Sequence, residues 1–248
     1  MLDPLLTPLG ETQCASLSAA FMYRPLITHL VSSPLRRTLY TTLLSFEDII
    51  LPPVDAGKKG IRVIALPEIQ ETSDLPCDTG SAVKVLADEF AAGKWADTVD
   101  LGFVGEGWND KSISTRWAPT PRNLEKRSKE ARRWLRSLAR EWEEEREGVE
   151  GEKEAHIAVV THGGLLHFLT EDWSGYEKHL GELFLRLDRI GLLLYHILSL
   201  LGSLGAAEMQ GRDGKIHLGR ELWTAWERVT NRLFRHWMAE RRVAELHF

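Results

Sequence analysis

The sequence predicts an α/β domain on a mainly parallel sheet, with helices on both faces in a three-layer α/β/α arrangement. Short apolar, β-branched runs alternate with helix-compatible stretches, Gly- and Pro-bearing turns separate them, and strands lead directly into turns and helices. A chain of 248 residues, 43% hydrophobic and 27% charged, can bury one large core and is too apolar for disorder.

The elements follow in order. Thr7 is placed to cap a helix with Pro8 at its first position, extending to about Phe21. The run 26–33 reads as a buried strand, after which Ser32 or Ser33 caps a helix with Pro34 early in it. Ile61–Leu66 reads as a second strand, leading through an irregular stretch with Thr72, Ser73, Pro76, Asp78 and Gly80 into a helix over about 81–92. From Asn123 to about Glu147, Leu124, Trp134, Leu135, Leu138 and Trp142 mark one face of an amphipathic helix. Ile157–Thr161 is the strongest strand, and His162-Gly163-Gly164 follows it at once. The segment 93–122, with Trp95, Trp108 and Trp117 among Gly, Asp and Pro, reads as a lid or specificity insertion.

With no repeat, low-complexity tract or linker, residues 1–248 read as a single domain. The segment 181–248 is atypical, with a strongly apolar stretch over 183–207. Within it, the run 191–207 reaches only the short end of membrane-spanning length and is read as a buried helix or an unusual tail rather than a span. The net charge of −5 gives no global case for nucleic-acid binding, so any phosphate site has to be local. Two cysteines, Cys14 and Cys77, make neither a disulfide framework nor a four-cysteine zinc site. The N-terminal ten residues lack a basic region and are broken by Asp3, Pro4 and Pro8, unlike a signal or transit peptide. A cytoplasmic or nuclear setting is expected.

Three features carry candidate chemistry. In Ser33-Pro34-Leu35-Arg36-Arg37 a strand end delivers two guanidinium groups at a helix start, where planar cations and orphan amides suit an anion. His162 sits at a strand carboxyl end ahead of two glycines, a place suited to anion binding and proton transfer. Glu68 or Glu71, after the second strand, can supply a general acid. Each also has a plainer reading, as solvent-facing arginine, a structural histidine or an exposed loop carboxylate. His162 and His167 lie five apart with no intervening Glu, which is not metalloprotease spacing, so no metal is expected.

In order and spacing, Leu6–Gln13, Ser33–Thr41, Leu66–Glu71 with Pro76–Ser81, and Val160–Gly164 resemble successive blocks of the histidine phosphatase superfamily, in particular its fungal phosphoglycerate mutase-like branch. The resemblance covers about residues 3–180. It implies phosphomonoester hydrolysis through a phosphohistidine, without metal or other cofactor, on a small phosphorylated substrate. By motif position, Arg37 and Gly163 bind the phosphoryl group, His162 donates to it, and Glu71, with Glu68 as the other fit, protonates the leaving alcohol.

The chain departs from that family in two places. The family opens with a strand ending in Arg-His-Gly, whose histidine is the nucleophile, whereas this chain starts at the helix that follows; its Arg235-His236 precedes Trp237. Past His179 the apolar segment replaces the expected turn and polar strand. The sequence therefore reads as a truncated gene product or a degenerate relative, weak or inactive as a phosphatase. The rival reading is a non-catalytic phospho-ligand-binding or interaction module. An absent strand should also leave the runs 26–32 and 157–161 with unpaired backbone, favouring aggregation unless the tail supplies a replacement strand.

Overall fold

A computed structural model describes residues 1–53, 57, 59–148, 154–173, 185–187 and 193–196. The chain divides into two compact units, Met1–Gly202 and Ser203–Phe248, where the sequence is read as one domain. All described residues belong to the first.

The strands are β1 (His29–Ser32), β2 (Val63–Ala65), β3 (Val99–Asp100), β4 (Ile157–Thr161), β5 (Leu185–Leu187) and β6 (Leu193–His196), in the order β3-β2-β1-β4-β6-β5. Every neighbouring pair is parallel except β5 with β6, so the architecture is α/β with a mainly parallel sheet. In register, Val31 faces Ile64 on one side and Val159 on the other. All five residues of β4 are buried, as expected of a parallel strand covered on both faces.

Alternation along the strands sends side chains to two cores. Leu30, Val63, Ala65, Ala158 and Val160 pack with Leu17 of α1 (Pro8–Ala20), with Leu39 and Leu43 of α2 (Arg36–Ser45), and with Leu86 of α4 (Val83–Glu89). Val31, Ile157 and Val159 pack with Ala131, Leu135 and Ala139 of α5 (Pro121–Glu145) and Leu165 and Leu169 of α6 (Gly163–Thr170). A one-turn helix, α3 (Glu47–Ile50), follows α2.

Local chemistry sets the boundaries. Thr7 accepts from Gly10 N at 3.1 Å and Thr120 from Asn123 N at 3.3 Å, each with proline next in the chain to open the helix. The strand expected over 26–33 is confined to 29–32, because Pro25 starts a 3-10 turn over Arg24–Leu26. The helix expected to be capped by Ser32 or Ser33 starts only at Arg36, after Leu35, which has no capping side chain. Its cap comes from a distance: fully buried Asp3 accepts from Arg36 N at 3.0 Å and Ser81 N at 2.8 Å.

The expectation of open sheet edges does not hold. β1 lies between β2 and β4, and β4 pairs with β6 on its other side. Residues 193–196 of the apolar run are thus a strand rather than part of a buried helix; the rest of 181–248, apart from 185–187, lies outside the described residues. Among the described residues no helix is long and apolar enough to cross a membrane.

Candidate anion site at the carboxyl ends of the central strands

Because β1 and β4 are parallel neighbours, Ser33 and His162, the residues that follow them, emerge at the same edge of the sheet. The chain leaving β2 is drawn over that edge, with Leu66 N donating to Ser32 O at 2.8 Å and Thr161 Oγ1 to Ile69 O at 2.8 Å. This brings Glu71 and Asp78 to the same place. Arg37 arrives from the first turn of α2.

His162 is 3% exposed and bonded through both ring nitrogens. Arg37 Nη2 lies 3.0 Å from Nδ1; a guanidinium only donates, so Nδ1 is the acceptor. The proton of the neutral ring then sits on Nε2, which donates to Ser33 Oγ at 2.8 Å. Glu71 Oε2 is 3.9 Å from Nδ1. Protonation of Nδ1 would cost the ring its bond from Arg37 and give it one to offer Glu71 or a bound anion.

The two arginines part company. Arg36 pairs with Glu89 on α4 at 2.8 Å, and Tyr40 donates to the same carboxylate, so its charge is spent on helix packing. Arg37 is buried and turned inward, with Nη1 on the Cys77 carbonyl and Nη2 on Asp78 Oδ1 at 3.0 Å as well as on His162. Asp78 also accepts from Ser73 Oγ at 2.5 Å. The start of α2, anticipated as a source of amides for an anion, already gives its Arg36 N–H to the Asp3 carboxylate.

Of the two glutamates, Glu71 lies in the pocket and Glu68 forms an ion pair with Arg116 at 3.1 Å toward the surface. Glu71 Oε1 accepts from Thr72 N at 2.7 Å and Thr72 Oγ1 at 3.2 Å. Burial pushes its carboxyl pKa above the ordinary range; Asp78 adds to the rise, while the Thr72 bonds and Arg37 oppose it. Gly164 makes the fit possible, since a Cβ there would lie 2.6 Å from Thr72 Oγ1 and 2.7 Å from Glu71 Oε1. Gly163 opens α6 beside this carboxyl, where first-turn amides have no intrahelical acceptor.

Ser33, Asp78, Lys111 and Arg127 complete the surroundings; Ser33 and Asp78 stand in stretches marked from sequence but none of the four was given a site role there. Arg127 carried a readable signal: it follows Leu124 and precedes Ala131 at helical spacing, on the buried face of α5. Lys111 carried none, because it lies in the irregular segment 93–122. That segment is not a loose cover. Trp108 is buried, donates from Nε1 to Ser81 O at 3.1 Å, and accepts at its carbonyl from Gln70 Nε2 at 2.9 Å. His167 bonds Asp172 O through Nδ1 at 2.7 Å, on the far end of α6. Among the described residues no cluster of His, Cys, Asp and Glu could hold a metal.

The arrangement combines a guanidinium, an imidazole and a carboxyl whose pKa burial raises, which are the parts needed to hold an oxyanion and move a proton to a leaving oxygen. Comparison with known proteins adds no identification: no family model matches the chain, and neither a curated protein nor a solved structure is significantly similar to it.

Proposed function

We propose that this chain is a histidine-phosphatase-like domain of three-layer α/β/α build that binds phosphomonoesters or phosphate at Arg37 and His162. In this reading Glu71 is the proton donor to the leaving alcohol, and Gly163 opens the helix toward the phosphoryl oxygens. The observation that carries it is the convergence of Arg37, His162 and Glu71, separated by up to 125 residues in sequence, around one ring nitrogen. Charge balance supports an anionic ligand. Arg37, Lys111 and Arg127 are 6, 7 and 2% exposed and stand near two carboxyls, Asp78 and Glu71; buried cations in excess favour an anion.

The test is titration of the protein with inorganic phosphate by calorimetry. Arg37→Gln should weaken binding on the order of tenfold or more, the loss expected for a charge-assisted hydrogen bond. Arg36→Gln should leave it unchanged, since Arg36 is committed to Glu89. Equal affinity in wild type and Arg37→Gln would overturn the assignment.

A further inference from the structure

We propose that Lys111 is a positioning residue of this site: its ammonium grips the backbone of the Glu71–Asp78 loop and thereby sets the Glu71 carboxyl against His162. The inference rests on the anion-site reading and adds to it a residue that touches none of the reacting groups.

Lys111 Nζ donates to three carbonyls, Glu71 O at 2.9 Å, Ser73 O at 2.5 Å and Asp78 O at 2.5 Å, which uses all three of its protons. Two of these carbonyls belong to the residues whose side chains enter the site. From the other side Arg127 donates to Glu68 O at 3.0 Å, Gln70 O at 2.5 Å and Glu71 O at 3.0 Å. The peptide at Glu71 is therefore held by two cations from different segments, one on α5 and one in the 93–122 segment. Trp108, fixed against Ser81 and Gln70, anchors the backbone three residues before Lys111. A loop with little regular structure is thus fixed at five carbonyls, and its side chains are aimed by its backbone.

Packing alone does not call for an ammonium there. Burial, with Arg127 and Arg37 nearby, depresses the Lys111 pKa to about 8 against the attraction of Asp78 and Glu71. What calls for the ammonium is the set of three carbonyls, which an apolar side chain of similar volume would leave without this donor. Loss of these bonds by itself lowers stability; loss of the loop's aim moves, in addition, the behaviour of Glu71 in the folded protein.

The experiment titrates the full chain with sulfate, which stays a dianion throughout, at intervals from pH 4.5 to 8. Wild-type affinity should fall as pH rises through the elevated Glu71 pKa, because the carboxylate then repels the dianion; Glu71→Gln should lack that step. Lys111→Met should keep a cooperative unfolding transition, bind sulfate on the order of tenfold more weakly, and move the Glu71 step toward the ordinary glutamate range. Lys111→Arg should recover part of both. If Lys111→Met does not fold, Lys111→Gln, which keeps a neutral donor, replaces it under the same criteria. Wild-type affinity and an unmoved step in the Lys111 variant, with binding lost in Arg37→Gln, would overturn the positioning role and leave the anion site standing. Undiminished binding in Arg37→Gln would remove the anion site and this role with it.

Discussion

Asp78 holds the place that an anionic ligand would need. Its Oδ1 sits 3.0 Å from Arg37 Nη2, so a phosphate dianion approaching the same guanidinium meets a carboxylate at close range. Replacing Asp78 with Asn removes the repulsion and keeps the shape. At roughly 5 Å and an effective dielectric of about 20, each pair of unit charges is worth about 3 kcal/mol. Screening by the neighbouring cations reduces this to about 1.4 kcal/mol, or tenfold in affinity taken alone. The opposing effect is smaller. Arg37 loses a charge-assisted bond for a neutral one, at about 1 kcal/mol, but keeps the Cys77 carbonyl and His162 as guides. With the two effects set against each other, about 0.4 kcal/mol remains, so Asp78→Asn should bind phosphate about twofold more tightly in a calorimetric titration while unfolding at a lower temperature. Affinity equal to or weaker than wild type, in a variant with cooperative unfolding, would show that Asp78 orients Arg37 rather than competing for it.

Other perturbations have defined outcomes. Gly164→Ala places a Cβ 2.7 Å from Glu71 Oε1, so it should cost about 1–3 kcal/mol of stability by overpacking and weaken phosphate binding. Glu71 has a folded pKa raised by burial, so the folded state binds more protons than the unfolded state once pH passes the ordinary glutamate value of about 4.3. Its stabilising contribution is full below that value and is lost as pH rises through the raised pKa; denaturant titrations should show stability falling over that window in wild type and a shallower fall in Glu71→Gln. Trp108→Ala empties a fully buried site and should cost about 3–5 kcal/mol, read as a drop in Tm on the order of 10 °C. Asp3→Ala removes the carboxylate that caps α2 and should cost about 1–2 kcal/mol in the same assay; an unchanged Tm would show that the α2 terminus is satisfied without it.

Sequence by itself determined the features that depend on local pattern. β4 spans 157–161 as its apolar, β-branched run indicated, and Pro8 and Pro121 open helices behind threonine caps, because strand burial, φ restriction and capping act within a few residues. Arg37, His162 and Glu71 were nameable for the same reason, each standing at a strand end or beside a turn. Tertiary structure decided what these residues meet. Which of two adjacent arginines turns inward was settled by Glu89 taking Arg36, and which glutamate enters the pocket by Arg116 holding Glu68 outside. The start of α2 moved because Asp3, distant in sequence, supplies its cap. β6 covers the side of β4 for which the sequence offered no partner. The roles of Lys111 and Asp78 could not be read for a physical reason: they come from carbonyls and charges brought together by a loop without periodicity, and buried charges find their partners through the fold.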